Sequence, residues 1–275
     1  MRAAPEVKLN NDVVIPQLGF GVYLVAPEET ERAVTDALEA GYRHIDTAQM
    51  YRNESQVATA IAQSGLERSE VFVTSKLANE SIGYDAALEG FDASVEAMGL
   101  DWIDLFLIHW PLAAVRDFVE TWRAFERLYA DGRVRAIGVS NFQIPHLLRI
   151  LDEAEIPPAV NQIELHPYLT QEPLRAFHAE HGIATEAWSP LGRGTTLADP
   201  TVVEIARAHD KTPAQIVLGW HLALGNIAIP KSVHPARIRE NFASFDFELS
   251  AGELAQISAL NRDQRIGPDP DRLGR

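Results

Sequence analysis

Residues 28–54 read "EETERAVTDALEAGYRHIDTAQMYRNE". The first half has the period of an amphipathic helix, and Gly41 stands where a helix C-cap is expected. A short apolar run at 44–46 follows and ends in Asp46, with Tyr51 five residues further on. In isolation these two are a turn carboxylate and a surface tyrosine. The same rhythm then recurs along the chain: a short β-rich run, a polar turn, an amphipathic helix. Strands are expected at 18–21, 44–46, 71–76, 103–109, 136–140, 159–164, 184–188 and 227–229, with helical stretches such as "YDAALEGFDASVEAMG" and "VRDFVETWRAFERLYADG" between them. Such alternation predicts an α/β fold, a (β/α)8 TIM barrel, as one domain over 1–275. Residues 1–17, with "VKLNNDVVIP", are expected to form an N-terminal hairpin closing the bottom of the barrel, its tip at Asn11–Asp12. The Pro-, Gly- and charge-rich stretch 261–275 is expected to be a mobile tail.

Composition narrows the function. A formal charge of -15 disfavours nucleic acid and anionic membranes as partners. Without cysteine there is no disulfide, thiolate metal site or cysteine nucleophile. No apolar run is long enough for a signal peptide or a membrane span, so a cytoplasmic location is expected. No obvious exposed apolar stripe calls for a second copy.

In a barrel of this kind the chemistry sits at the C-terminal ends of the strands. Those ends carry Asp46 with Tyr51 in its loop, then Lys76, His109, Ser140 with Asn141, Gln162 with Glu164, and Trp188 with Ser189. A tyrosine hydroxyl ordinarily titrates near 10. A lysine beside Tyr51 would lower that value, and a carboxylate could hold the lysine in place. A histidine could hydrogen-bond the oxygen that the tyrosine protonates. The group suits a carbonyl oxygen that gains charge and needs a proton. No serine occupies a G-x-S-x-G elbow, and hydride addition to a carbonyl fits.

Nine stretches, in this order and spacing, resemble the aldo-keto reductase superfamily over nearly the whole chain. They are "LGFGVY", "GYRHIDTAQMYRNE", "VTSKL", "DLFLIHWP", "IGVSNF", "PAVNQIELHPY", "WSPLGRG", "KTPAQIVLGW" and "IPKSVHPARIRENF". The resemblance is greatest to the bacterial 2,5-diketo-D-gluconate reductase-like branch. It implies NADPH-dependent reduction of aldehydes and ketones, with small dicarbonyls and keto-sugar acids as substrates and no metal. By resemblance Tyr51 is the proton donor, Lys76 and Asp46 its tuning pair, and His109 the residue that orients the carbonyl. Ser140, Asn141 and Gln162 match the residues that hold the nicotinamide carboxamide, and Trp188 the aromatic on which the ring stacks. Ser189, Leu191 and Gly192 would lie along the pyrophosphate. Lys231, Ser232, Val233, Arg237 and Asn241 match the adenosine end. Tyr23, Met50, Trp110 and Phe142 are expected to line the substrate pocket with His109.

Part of the cofactor reading stands without the resemblance. Pro235 is a plausible first helical residue, with Lys231 and Arg237 around it, so a phosphate could meet free N–H groups and two cations. On an acidic chain that cluster favours a ribose 2′-phosphate, hence NADPH over NADH. No G-x-G-x-x-G follows a strand, which excludes a Rossmann site. Two other readings stand beside this one. His44, Asp46, His109, Glu164 and His166 could form a hydrolase metal site, but Lys76 would place a cation beside the metal. Alternatively, the barrel could bind NADPH as a redox-sensing or regulatory subunit without significant turnover.

Overall fold

The computed structural model describes residues 3–114 and 116–273. Residues 1–2 of the hairpin segment and 274–275 of the expected tail lie outside the described residues. Two strands, β1 (Glu6–Lys8) and β2 (Val14–Pro16), pair antiparallel. Eight parallel strands follow: β3 (Phe20–Gly21), β4 (His44–Asp46), β5 (Phe72–Leu77), β6 (Ile103–Ile108), β7 (Val134–Ser140), β8 (Val160–Glu164), β9 (Ala184–Trp188) and β10 (Ile227–Ala228). They neighbour one another in sequence order, and a bridge from Leu18 to Ala228 closes the ring. The fold is a (β/α)8 barrel.

Outside it run α1 (Pro27–Ala40), α2 (Glu54–Gln63), α3 (Tyr84–Met98), α4 (Phe118–Ala130), α5 (Ile144–Glu153) and α6 (Glu172–Glu180). The expected alternation breaks once, because both α7 (Pro200–Ala208) and α8 (Pro213–Ala223) fall between β9 and β10. The chain ends with α9 (Pro235–Phe242) and α10 (Ala251–Ser258). Gly41 caps α1 with φ 112°, a conformation that glycine adopts without steric cost.

Two apolar layers follow from strand geometry. Alternate side chains point outward to meet the helices: Phe106 of β6 packs edge-on against Phe91 of α3 and tilted against Phe125 of α4. The inward set at the N-terminal end, including Leu105, Leu107, Val160 and Ile227, packs on Leu9 and Ile15 of the hairpin. The hairpin therefore plugs one end of the barrel, and polar chemistry is confined to the other. Ile15 is fully buried in that plug. Ile15→Ala should cost roughly 2–5 kcal/mol. Urea unfolding measures the loss, and an unchanged midpoint would mean that the hairpin contributes no packing.

Candidate active site

The side chains at the open end are fixed from beneath. Lys76, near the end of β5, is fully buried. Its ammonium donates to Asp46 Oδ1 at 2.7 Å, to Asp46 Oδ2 at 2.8 Å and to the Thr47 carbonyl at 2.9 Å. All three N–H protons are thereby used. Tyr51 instead presents its ring to the ammonium, 5.1 Å from the ring centroid. The loop carrying Tyr51 is a single 3-10 turn, Gln49–Tyr51, ended by Arg52 in the left-handed region. Gln49 Oε1 accepts from Ala78 N, and Asn53 ties the loop to the carbonyls of Val22 and Val25. The His109 ring meets Tyr51 edge-on, with centroids 5.7 Å apart.

Electrostatics follow from burial around one retained cation. Burial tends to lower the Lys76 pKa, but Asp46 first and then Tyr51 hold it above its ordinary value, so it stays an ammonium. For Asp46 burial pushes upward against Lys76 and Gln162; with donors at 2.7 to 2.8 Å it remains the carboxylate of the pair. Tyr51 departs from the expectation. Burial lifts its hydroxyl to about 12, Lys76 pulls it down, and Asp46 cancels part of that pull. The lysine limits the rise rather than bringing the value below 10. His109 is driven to about 3 by burial and then by Lys76, so its ring is neutral at physiological pH.

A cavity of about 970 Å³ opens above this group. Asp46, Tyr51, His109, Tyr23, Met50 and Trp110 line one end. Ser140, Asn141, Gln162, Trp188, Ser189 and Leu191 line the middle. Lys231, Ser232, Val233, Arg237 and Asn241 line the far end, where α9 begins. The Trp188 indole is fixed because its Nε1 donates to Asn141 Oδ1 at 2.8 Å. Asn141 Nδ2 donates to the His109 carbonyl, so the Asn141 amide is largely engaged within the protein.

Some expectations need correction. Lys76 does not reach the cavity; it acts from below Asp46. Phe142 is not a pocket residue. Asn141 has φ 66°, the chain turns there, and Phe142 packs in the core against Phe118, with centroids 5.0 Å apart. Gly192 is buried against Thr195 and Thr196, and Arg193 and Gly194 line the cavity in its place. Apart from these corrections, the described part of the segment expected to be a mobile tail borders the mouth. Glu164 accepts from the backbone N–H groups of Ile266 and Gly267, and Gly267 packs so closely on Trp188 that a Cβ would collide with the indole. Although burial works to raise it, the Glu164 carboxyl is held below its ordinary range by His166 and those two amides. Glu164 thus anchors the tail, and His166 is its side-chain partner. His44 bonds to Thr74 Oγ1, and among the described residues no three of His, Asp and Glu converge as metal ligands.

Sequence reading passed over Leu24, Asn79, Pro268 and Leu273, which also line the cavity, and Glu186, buried beneath it. For Glu186 a signal existed: it lies two residues before Trp188, on the same face of its strand.

Residues 17–262 match the Aldo/keto reductase family. An "Aldo-keto reductase" of Mycobacterium sp. (strain JLS) is 58% identical, the match covering 97% of each chain. The "Glyoxal reductase" of Bacillus subtilis (strain 168) is 49% identical over 97% of this chain and 96% of that protein. A crystal structure of a Gox0644 mutant in complex with NADPH superposes with a TM-score of 0.95 at 43% identity, covering 98% of this chain and 99% of that one. The chain belongs to the aldo/keto reductase family. It is an oxidoreductase of that class.

The ion pair beneath the cavity invites a stability cycle. Lys76→Met leaves the Asp46 carboxylate buried and unpaired and should cost about 3–5 kcal/mol. Adding Asp46→Asn should recover most of that loss in urea unfolding. Additive losses in the double variant would show that the two groups do not depend on each other.

Proposed function

We propose that this protein reduces small aldehydes and ketones to alcohols with NADPH, and that Tyr51 supplies the proton. The observation that carries this reading is the convergence of a buried Lys76–Asp46 pair, a tyrosine and a neutral histidine at one end of a long cavity. Both the glyoxal reductase relative and the NADPH-bound neighbour support it.

The residues present fit the cofactor. Gln162 donates both Nε2 protons inward, to Asp46 and Glu186, which leaves its carbonyl oxygen to receive a carboxamide. Trp188 offers a fixed aromatic face beside it. At the far end α9 begins with Pro235 at its first turn, and Lys231 and Arg237 enter no ion pair among the described residues. Two uncommitted cations at a helix start suit a 2′-phosphate. Bound there, NADPH supplies the hydride for the carbonyl carbon.

The protein's part is to hold the carbonyl oxygen and protonate it. His109, neutral, hydrogen-bonds that oxygen beside Tyr51. As charge develops on the oxygen, the Tyr51 hydroxyl passes its proton over, and the adjacent Lys76 ammonium steadies the phenolate that remains. The exposed Tyr23, Leu24 and Met50 make an open rim. Such a mouth admits small dicarbonyls and keto-sugar acids without enclosing them, in keeping with the 2,5-diketo-D-gluconate reductase-like resemblance. The enzyme acts as a monomer in the cytoplasm on this reading.

The test is NADPH consumption with a small dicarbonyl. Tyr51→Phe should lower kcat about 10²–10⁴-fold while the Kd for NADPH stays within about twofold of wild type. Cofactor binding without turnover of any carbonyl by wild type would favour a sensor instead. In a parallel arm, Arg237→Ala should weaken NADPH about tenfold and NADH hardly at all. Equal losses for the two cofactors would remove the 2′-phosphate assignment.

A further inference from the structure

Beneath the proposed site lies a second buried carboxyl group, Glu186, fully enclosed in β9. Register places it beside Gln162 of β8. The Gln162 amide bridges two acids, donating to Asp46 Oδ2 at 2.8 Å and to a Glu186 oxygen at 3.1 Å. Lys76 is the one cation among the groups facing this pair, and its three protons all go to Asp46 and Thr47. The other group that faces Glu186 is His44, whose Nε2 is 3.6 Å from Glu186 Oε1 and 3.0 Å from Thr74 Oγ1. Glu186 Oε1 itself is buried without a hydrogen-bond partner.

That arrangement decides where the protons are. Two neighbouring carboxylates with one ammonium would leave an uncompensated negative charge in the barrel interior. Asp46 holds the ammonium, so the proton resides on Glu186. A bare carboxylate oxygen with no donor is costly to bury, whereas a carboxyl hydroxyl at the same place is far less so. We infer that Glu186 is a positioning residue which, by staying protonated at neutral pH, aims the Gln162 carbonyl at the cofactor and leaves the Lys76 charge to Asp46 and Tyr51. Burial first, and then the nearby Asp46 charge, lift the Glu186 carboxyl to about 8, in agreement with that placement. The His44 ring is held neutral, near 3, by burial and by Lys76, so it adds no compensating charge. As pH rises past about 8, Glu186 gains a negative charge that competes with Asp46 for Lys76 and makes the Tyr51 phenolate harder to form.

The role in turnover rests on the proposed reductase activity, but the protonation does not. Unfolded, a glutamate ionises near 4.3. In the folded chain Glu186 keeps its proton to about 8. Between these values the native state binds one more proton, so this group makes stability fall as pH rises. Glu186→Gln is uncharged at every pH. The melting temperature of the variant minus that of wild type should therefore climb from about pH 5 to about pH 8 and then level off. A flat difference overturns the inference, whether or not any carbonyl is turned over.

The positioning role has its own readouts. Glu186→Leu removes the acceptor that orients Gln162 and should weaken NADPH binding about tenfold, and Glu186→Gln should restore it. In wild type kcat/KM for reduction should fall above about pH 8, and in Glu186→Gln that fall should move to higher pH. If the fall persists in Glu186→Gln, or Glu186→Leu binds NADPH like wild type, Glu186 does not position the site. Wild type that turns over no carbonyl would sink the proposed function while the melting series still reports on Glu186.

Discussion

One ammonium group sets the electrostatics of this barrel's open end. Lys76 is buried with its three protons on Asp46 and Thr47, and every ionisable neighbour feels that pair on top of the effect of its own burial. His44 and His109 are neutral because burial disfavours their cations and Lys76 repels a second positive charge. The Tyr51 hydroxyl is lifted by burial and restrained by the same ammonium. A buried ion pair is weak support for stability in its own right, since well-packed apolar residues often do as well. Its presence in a sealed layer is better understood as a fixed field directed at Tyr51.

The plug at the opposite end makes that field possible. Leu9 and Ile15 of the hairpin seal the N-terminal end with an apolar layer, so water has access to the polar layer from one side only. A reaction above Tyr51 then takes place over groups whose protonation is set by their contacts rather than by solvent. The tail contributes from the other side. Glu164 anchors Ile266 and Gly267, and Gly267 has no side chain to push Trp188 out of place.

Much of this was readable in the residues because a barrel turns sequence position into spatial position. Asp46, Ser140 and Trp188 close their strands, His109 follows directly after one, Gln162 stands two residues before the end of β8, and all reach one cavity. The failures occurred where that conversion breaks down. At Asn141 a left-handed turn sends Phe142 into the core, and strand parity no longer applies. Gly192 sits in an irregular loop, where the next residue rather than the glycine faces the cavity. The tail composition indicates a lack of regular structure, which differs from a lack of contacts; its anchor, Glu164, is about a hundred residues away in sequence. Within "ATEAW" strand alternation puts Glu186 on the face of Trp188, but alternation alone does not mark an acid as buried beneath a site. Only the register of β8 with β9 shows that it shares Gln162 with Asp46.

The raised Tyr51 value bears on the state from which the proposed reduction would begin. A hydroxyl held near 12 is almost wholly protonated at neutral pH, which is the state a carbonyl reduction requires. An alkoxide forming on the substrate is a stronger base than a phenolate, so the proton still moves downhill despite the tyrosine's raised value. Catalysis cannot alter the overall equilibrium, but at neutral pH burial around Tyr51 favours the protonated form of the enzyme, and Lys76 keeps the product phenolate from becoming too costly. On the proposed mechanism the lysine acts on the state left after proton transfer, whereas burial acts on the state before it.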